Sequence, residues 1–68
     1  MKLSARNVFP GKVIAVKKGV TTATVKIEIA RGAVITSSIT MEAARDLKLK
    51  AGDKASAIIK SSEVIIGK

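Results

Sequence analysis

From residue 21 to residue 30, apolar and polar side chains alternate without a break. Ala23, Val25, Ile27 and Ile29 fall on one side, and Thr22, Thr24, Lys26 and Glu28 on the other. Period two is the pattern of a strand with one buried face. Arg31-Gly32 follows as a turn, with glycine free to take positive φ. Residues 33–40 then return as the second strand of a hairpin. Upstream, residues 4–9 read as a short strand or extended arm, which Pro10-Gly11 breaks. Residues 12–18 form another strand, and Gly19 ends it. Its centre, Val13-Ile14-Ala15-Val16, is apolar throughout, a run that predicts burial on both faces.

The period changes after Thr40. Thr40 suits a helix N-cap, and Glu42 lies in the first turn, where the helix dipole favours an acid. The spacing predicts a short helix over 41–47, with Ala43, Ala44 and Leu47 on one face to cover an open barrel end. Residues 48–53, with Gly52, form a loop. Residues 54–60 form a strand, Ser61-Ser62 a tight connection, and residues 63–66 a last strand. Several short strands with one helix before the last two predict an all-β fold. It is a small five-stranded OB-like Greek-key barrel, one domain spanning residues 1–68. The second strand, Ile58-Ile59 and Val64-Ile65-Ile66 carry apolar residues on both faces. One barrel has one interior, so the surplus faces predict a homo-oligomer.

Composition strengthens that expectation. The chain has 68 residues, and a domain of that size buries only about 60% of its unfolded surface. Small domains usually lean on disulfides, metals or partner chains. Cysteine and histidine are both absent, which leaves partner chains. Thirteen Lys and Arg against five Asp and Glu give a net charge of +8, which calls for an anionic partner. The longest apolar run, Val13 to Val16, is far too short to span a bilayer. No signal-length apolar run follows Met1. The expected setting is a cytoplasm, with no membrane partner.

The same composition argues against an enzyme. There is no His or Cys, and a nucleophilic Ser needs a base. The five acids are scattered, so cation binding lacks its carboxylate cluster. An OB-like barrel at +8 could instead be a nucleic-acid binding module. Such surfaces stack bases on aromatics, however, and Phe9 is the sole aromatic. A purely structural oligomerisation module is a third reading. Two motifs favour a small anion. Near the start, Ser4 and Arg6 flank the backbone N–H of Ala5. Near the end stands Lys60-Ser61. Brought together, they make a donor-rich pocket for a dianion, with Arg as a planar fork and Lys as a point charge. On a strand, Ser4 and Arg6 would share a face.

These motifs carry a resemblance. Ser4-Ala5-Arg6-Asn7, Gly11-Lys12-Val13, Lys17-Lys18-Gly19-Val20-Thr21-Thr22-Ala23, Ile35-Thr36-Ser37-Ser38-Ile39-Thr40 and Lys60-Ser61-Ser62-Glu63-Val64-Ile65-Ile66 resemble the molbindins. These are small stand-alone proteins made of one Mop domain of the TOBE-like group, and the resemblance covers essentially the whole chain. It implies a non-enzymatic protein that binds molybdate or tungstate and stores or buffers it. It implies chains paired by exchange of an N-terminal strand, three such dimers forming a hexamer. It also implies an oxyanion site made by Ser4, Ala5 and Arg6 of one subunit with Thr40, Lys60 and Ser61 of its neighbour. A second site, nearer the threefold axis, would fall around Gly19, Val20 and Thr22.

Overall fold

The computed structural model describes residues 2–68. Four strands form one antiparallel sheet: β1 (Asn7–Lys18), β2 (Thr22–Ala30), β3 (Ala33–Thr40) and β4 (Lys54–Ile59). A helix, α1 (Met41–Asp46), lies between β3 and β4, and a single 3-10 turn (Ser61–Glu63) follows β4. The strands lie in the order β3-β2-β1-β4. Three hairpin-related strands with the fourth returned beside the first make a Greek key.

The expected break at Pro10-Gly11 does not occur. β1 runs through it as one strand of 12 residues. Its first half, Asn7 to Lys12, pairs with β4, and its second half, Lys12 to Lys18, pairs with β2. Pro10 therefore lies where β1 has a neighbour on one side only, and a strand so placed can spare a donor. Gly11 sits at the crossover between the two pairings. A Cβ there would come 2.5 Å from the carbonyl oxygen of Glu28 and 2.7 Å from Ile27 Cγ2. The glycine permits the strands to meet closely; it does not interrupt them.

The four-residue apolar run is explained by a bulge. Val13 pairs with Ile27 but Ala15 pairs with Lys26, so Ile14 is an extra residue in β1. A bulge resets the alternation. Val13 and Val16 both point inward, while Ile14 stays 42% exposed. The second face is thus uncovered within one protomer.

The interior gathers Val13, Val25, Ile27 and Ala57, with Val16, Ile29, Ile35, Ile39, Leu49 and Ala55 around them. A second cluster of Ala23, Met41 and Ala44 closes one end. Helix α1 makes that closure, as its spacing predicts, and Thr40 caps it by accepting from the backbone N–H of Ala43 at 3.0 Å. Leu47 departs from expectation: it is the C-cap residue and is 65% exposed. The Arg31-Gly32 turn is as expected, with Gly32 at φ +74°.

The sheet has four strands where five are expected. Residues 63–66 form no ladder: Glu63 ends the 3-10 turn and residues 64–66 follow it outside any strand, with Ile65 92% and Ile66 85% exposed. Where a fifth strand would lie, between the edges β3 and β4, there is a cavity of about 380 Å3. Ile35 and Ile39 line it from one side, Ala55, Ala57 and Ile59 from the other. The N-terminal half of β1, expected to be exchanged between subunits, pairs in this single chain with its own β4.

Candidate functional site

β1 begins where β4 ends. Asn7 pairs with Ile59, the last residue of β4. The side chain strengthens that pairing, since Asn7 Nδ2 donates to the carbonyl oxygen of Ile59 at 3.1 Å. One step beyond this pair stand Arg6 on one segment and Lys60 on the other. Ser4-Ala5-Arg6 and Lys60-Ser61 therefore meet at one end of the sheet, although more than fifty positions separate them. The two motifs are held together by backbone register and one side-chain amide.

Locally the arrangement differs from the strand expected. Ser4 and Arg6 lie in bends that precede β1, so period-two alternation does not set their directions. Lys60 caps the 3-10 turn with extended backbone (φ −65°, ψ 142°), and Ser61 opens that turn. The carbonyl of Lys60 accepts from Glu63 N–H at 2.9 Å. Glu63 thus belongs to the same turn, an acid three residues from Lys60. Ala5 is half-buried; Ser4, Arg6, Lys60 and Ser61 are exposed. One protomer presents these donors on an open surface, carrying the two positive charges of Arg6 and Lys60. That chemistry suits a fully ionised oxyanion, which needs donors and offers only acceptors.

The remaining site residues lie at the other end of β1. Lys18 pairs with Ala23 there, and Thr22 stands directly opposite Thr40. All twelve residues of β1 lie between the two ends, in a molecule 33 Å along its longest axis. Thr40 of the same chain therefore does not join Arg6 and Lys60. Thr22 and Thr40, expected in two different sites, are instead cross-strand neighbours. Between β1 and β2 the chain turns tightly: Gly19 N–H donates to the carbonyl of Thr22 at 2.8 Å. A Cβ at Gly19 would sit 2.8 Å from that carbonyl oxygen. Val20 forms the tip and is 93% exposed, an apolar side chain left for some other surface.

Asn7 is the residue the sequence reading passes over. It stands in the first motif, but only the register shows its amide bracing the two halves of the site. A half-buried polar residue beside a cluster of exposed donors is the signal it leaves. Among the described residues, no three of His, Cys, Asp and Glu gather to hold a metal ion. Among the same residues, no helix is long and apolar enough to cross a membrane. Phe9 lies opposite the buried Ala57, so the single aromatic offers no row of stacking platforms.

Comparison with known proteins gives a consistent result. The TOBE domain family model matches residues 3–66. The molybdenum-pterin-binding protein 3 of Clostridium pasteurianum is 50% identical over 66 residues, 97% of each chain. Among solved structures, a molybdate binding protein from Sporomusa ovata superposes with a TM-score of 0.92 at 32% identity, over the full length of both chains. The cytoplasmic molybdate-binding protein ModG, solved with molybdate bound, gives a TM-score of 0.91 at 45% identity. That match covers 96% of this chain and 46% of ModG.

Proposed function

The chain belongs to the TOBE domain family, and we propose that it is a non-enzymatic protein that binds molybdate or tungstate, storing or buffering the oxyanion in the cytoplasm. The observation that carries this reading is the Asn7–Ile59 pairing, which draws Ser4, Ala5 and Arg6 to Lys60 and Ser61. The names of the relatives support the ligand: two proteins named for binding molybdate share the fold at 32% and 45% identity, and one named for binding molybdenum-pterin is 50% identical.

Binding follows from donors and charge. Arg6 offers a fork of N–H groups, Lys60 an ammonium, Ser4 and Ser61 hydroxyls, and Ala5 its backbone N–H. Charge-assisted bonds of this type are about twice as strong as neutral ones. Phosphate near neutrality keeps a proton, and these five residues hold no carboxylate to accept it, only serine hydroxyls and backbone carbonyls. Discrimination against sulfate then rests on size.

The site is open in one protomer, and a second copy completes it. Thr40 comes from that neighbour. The slot between β3 and β4 and the exposed tail carrying Val64, Ile65 and Ile66 fit one another in chemistry. We infer that the chains pair by exchange of the N-terminal strand, the pairing of Asn7 to Lys12 with β4 being made between subunits, and that the tail lies in the partner's slot. Three such dimers make a hexamer, and the exposed Val20 tips, with Gly19 and Thr22, gather near its threefold axis as a second oxyanion site.

Calorimetry with molybdate tests the reading. Arg6→Ala together with Lys60→Ala is expected to weaken binding at least a hundredfold, given about 1.5–3 kcal/mol for each charged hydrogen bond. Unchanged affinity in the double variant sinks the assignment.

A further inference from the structure

A second basic corner lies at the far end of β1, away from Arg6 and Lys60. A cavity of about 360 Å3 is lined there by Lys18, Arg45, Lys48 and Lys50, with Met41, Ala44 and Leu49 as its apolar part. Four cations line it and no carboxylate does. Of the acids nearest in sequence, Glu42 and Asp46 are not part of the lining, and the carboxylate of Asp53 lies beside Lys50, where it accepts that residue's backbone N–H at 3.0 Å.

Two of these lysines differ in setting, and at one of them, Lys48, another residue would serve the fold better. Lys18 pairs with Ala23, which is 1% exposed and packs with Met41 and Ala44. Cross-strand partners share a face, so Lys18 continues the row of Val16 opposite Val25, but at its exposed rim. Lys48 follows the C-cap of α1 at φ +51°. Its N–H donates to the Arg45 carbonyl at 3.0 Å, and Leu49 N–H to the Ala44 carbonyl at 3.2 Å. That pair of bonds is the Schellman motif, whose left-handed residue is usually glycine. Four cations around one cavity, one of them held at an unfavourable backbone angle, mark a site.

We propose that this corner binds a small organic polyphosphate, with the phosphates on the four cations and a compact, less polar body against Met41, Ala44 and Leu49. The cavity volume is within the roughly 300–1,000 Å3 usual for small-molecule sites. Inorganic anions would use the cations and leave the apolar part idle. The corner shares no residue with the proposed oxyanion sites, although Lys18 and Met41 adjoin Gly19 and Thr40 in the chain.

The test is calorimetry of the assembled protein, saturated with molybdate and free of magnesium, against adenosine triphosphate and pyrophosphate. Saturable binding is expected, with the triphosphate at least fivefold tighter than pyrophosphate. Lys18→Met and Lys48→Gly are each expected to weaken it fivefold or more and to leave molybdate binding unchanged. Both should also melt no lower than the parent, and Lys48→Gly roughly 4 °C higher, so lost affinity cannot be blamed on lost folding. Arg6→Ala with Lys60→Ala should leave triphosphate binding intact, which separates the two sites. The proposal is overturned by an absence of saturable binding, by equal affinity for pyrophosphate, or by lysine variants that bind as the parent does. It is also overturned if a single-stranded oligonucleotide binds more tightly than the triphosphate, which would make the corner part of a nucleic-acid surface.

Discussion

Gly11→Ala tests how β1 changes partners. The new Cβ would meet backbone: the Glu28 carbonyl oxygen at 2.5 Å and its carbon at 3.1 Å, besides Ile27 Cγ2 at 2.7 Å. Ordinary contacts lie near 3.5–4.0 Å, so the strands must part by about 1 Å. They cannot part freely, because Lys12, the next residue, pairs with Glu28 on one side and Lys54 on the other. Overpacking of this kind costs about 1–3 kcal/mol, and contact with backbone favours the upper end. Alanine recovers about 0.4–1 kcal/mol by restricting the unfolded chain, which leaves a net loss of roughly 2 kcal/mol. For a chain of this length each 1 kcal/mol moves the melting temperature about 4–8 °C, so a fall of about 8–16 °C is expected. The assay is far-UV circular dichroism melting at one protein concentration, since an oligomer's Tm depends on it. Gly32→Ala is the control. Its Cβ meets nothing within 4 Å, and only its φ of +74° is unfavourable; about 1 kcal/mol is expected. If Gly11→Ala melts within 2 °C of the parent, or above Gly32→Ala, the close crossover is not what the glycine serves.

Asn7→Ala removes the amide bonded to the Ile59 carbonyl, which braces the two halves of the proposed oxyanion site. It should cost about 1 kcal/mol of stability and several-fold in molybdate affinity, read by melting and calorimetry on one preparation. Glu63→Gln removes the acid from the turn that carries Lys60 and Ser61, and should raise molybdate affinity about twofold, with the gain shrinking in high salt. Ile65→Asp with Ile66→Asp puts charge on the tail assigned to the partner's slot, and should shift the mass seen by light scattering to that of a single chain.

Much of the fold is visible in the sequence because β2 obeys period two and Thr40 carries both a strand end and a helix cap. Thr22 to Ala30, the Arg31-Gly32 turn and α1 follow from these. Pro10-Gly11 misleads because its meaning depends on which strands flank it: paired on one side only, a proline is harmless, and a glycine becomes a point of close approach. The run from Val13 to Val16 misleads for a related reason, since a bulge at Ile14 leaves no local mark. Residues 63–66 have the composition of a strand but no edge of their own chain to join, and composition is silent on whose edge a strand uses. For the site, the meeting of Ser4, Arg6, Lys60 and Ser61 could be anticipated from residue type. Thr40's place at the opposite end of β1 could not, because it depends on register over 12 residues.

The most direct test of the central claim is a thermal melt of the parent protein in millimolar molybdate, tungstate, sulfate or phosphate at one ionic strength. A ligand held only by the folded state at about 100 times its dissociation constant adds roughly 2.7 kcal/mol, or about 10–20 °C for a chain this small. The account predicts a rise of that order with molybdate and tungstate, and no comparable rise with sulfate or phosphate. Equal, small rises with all four anions would contradict it, because they would reduce the cluster around Arg6 and Lys60 to a surface that any anion screens.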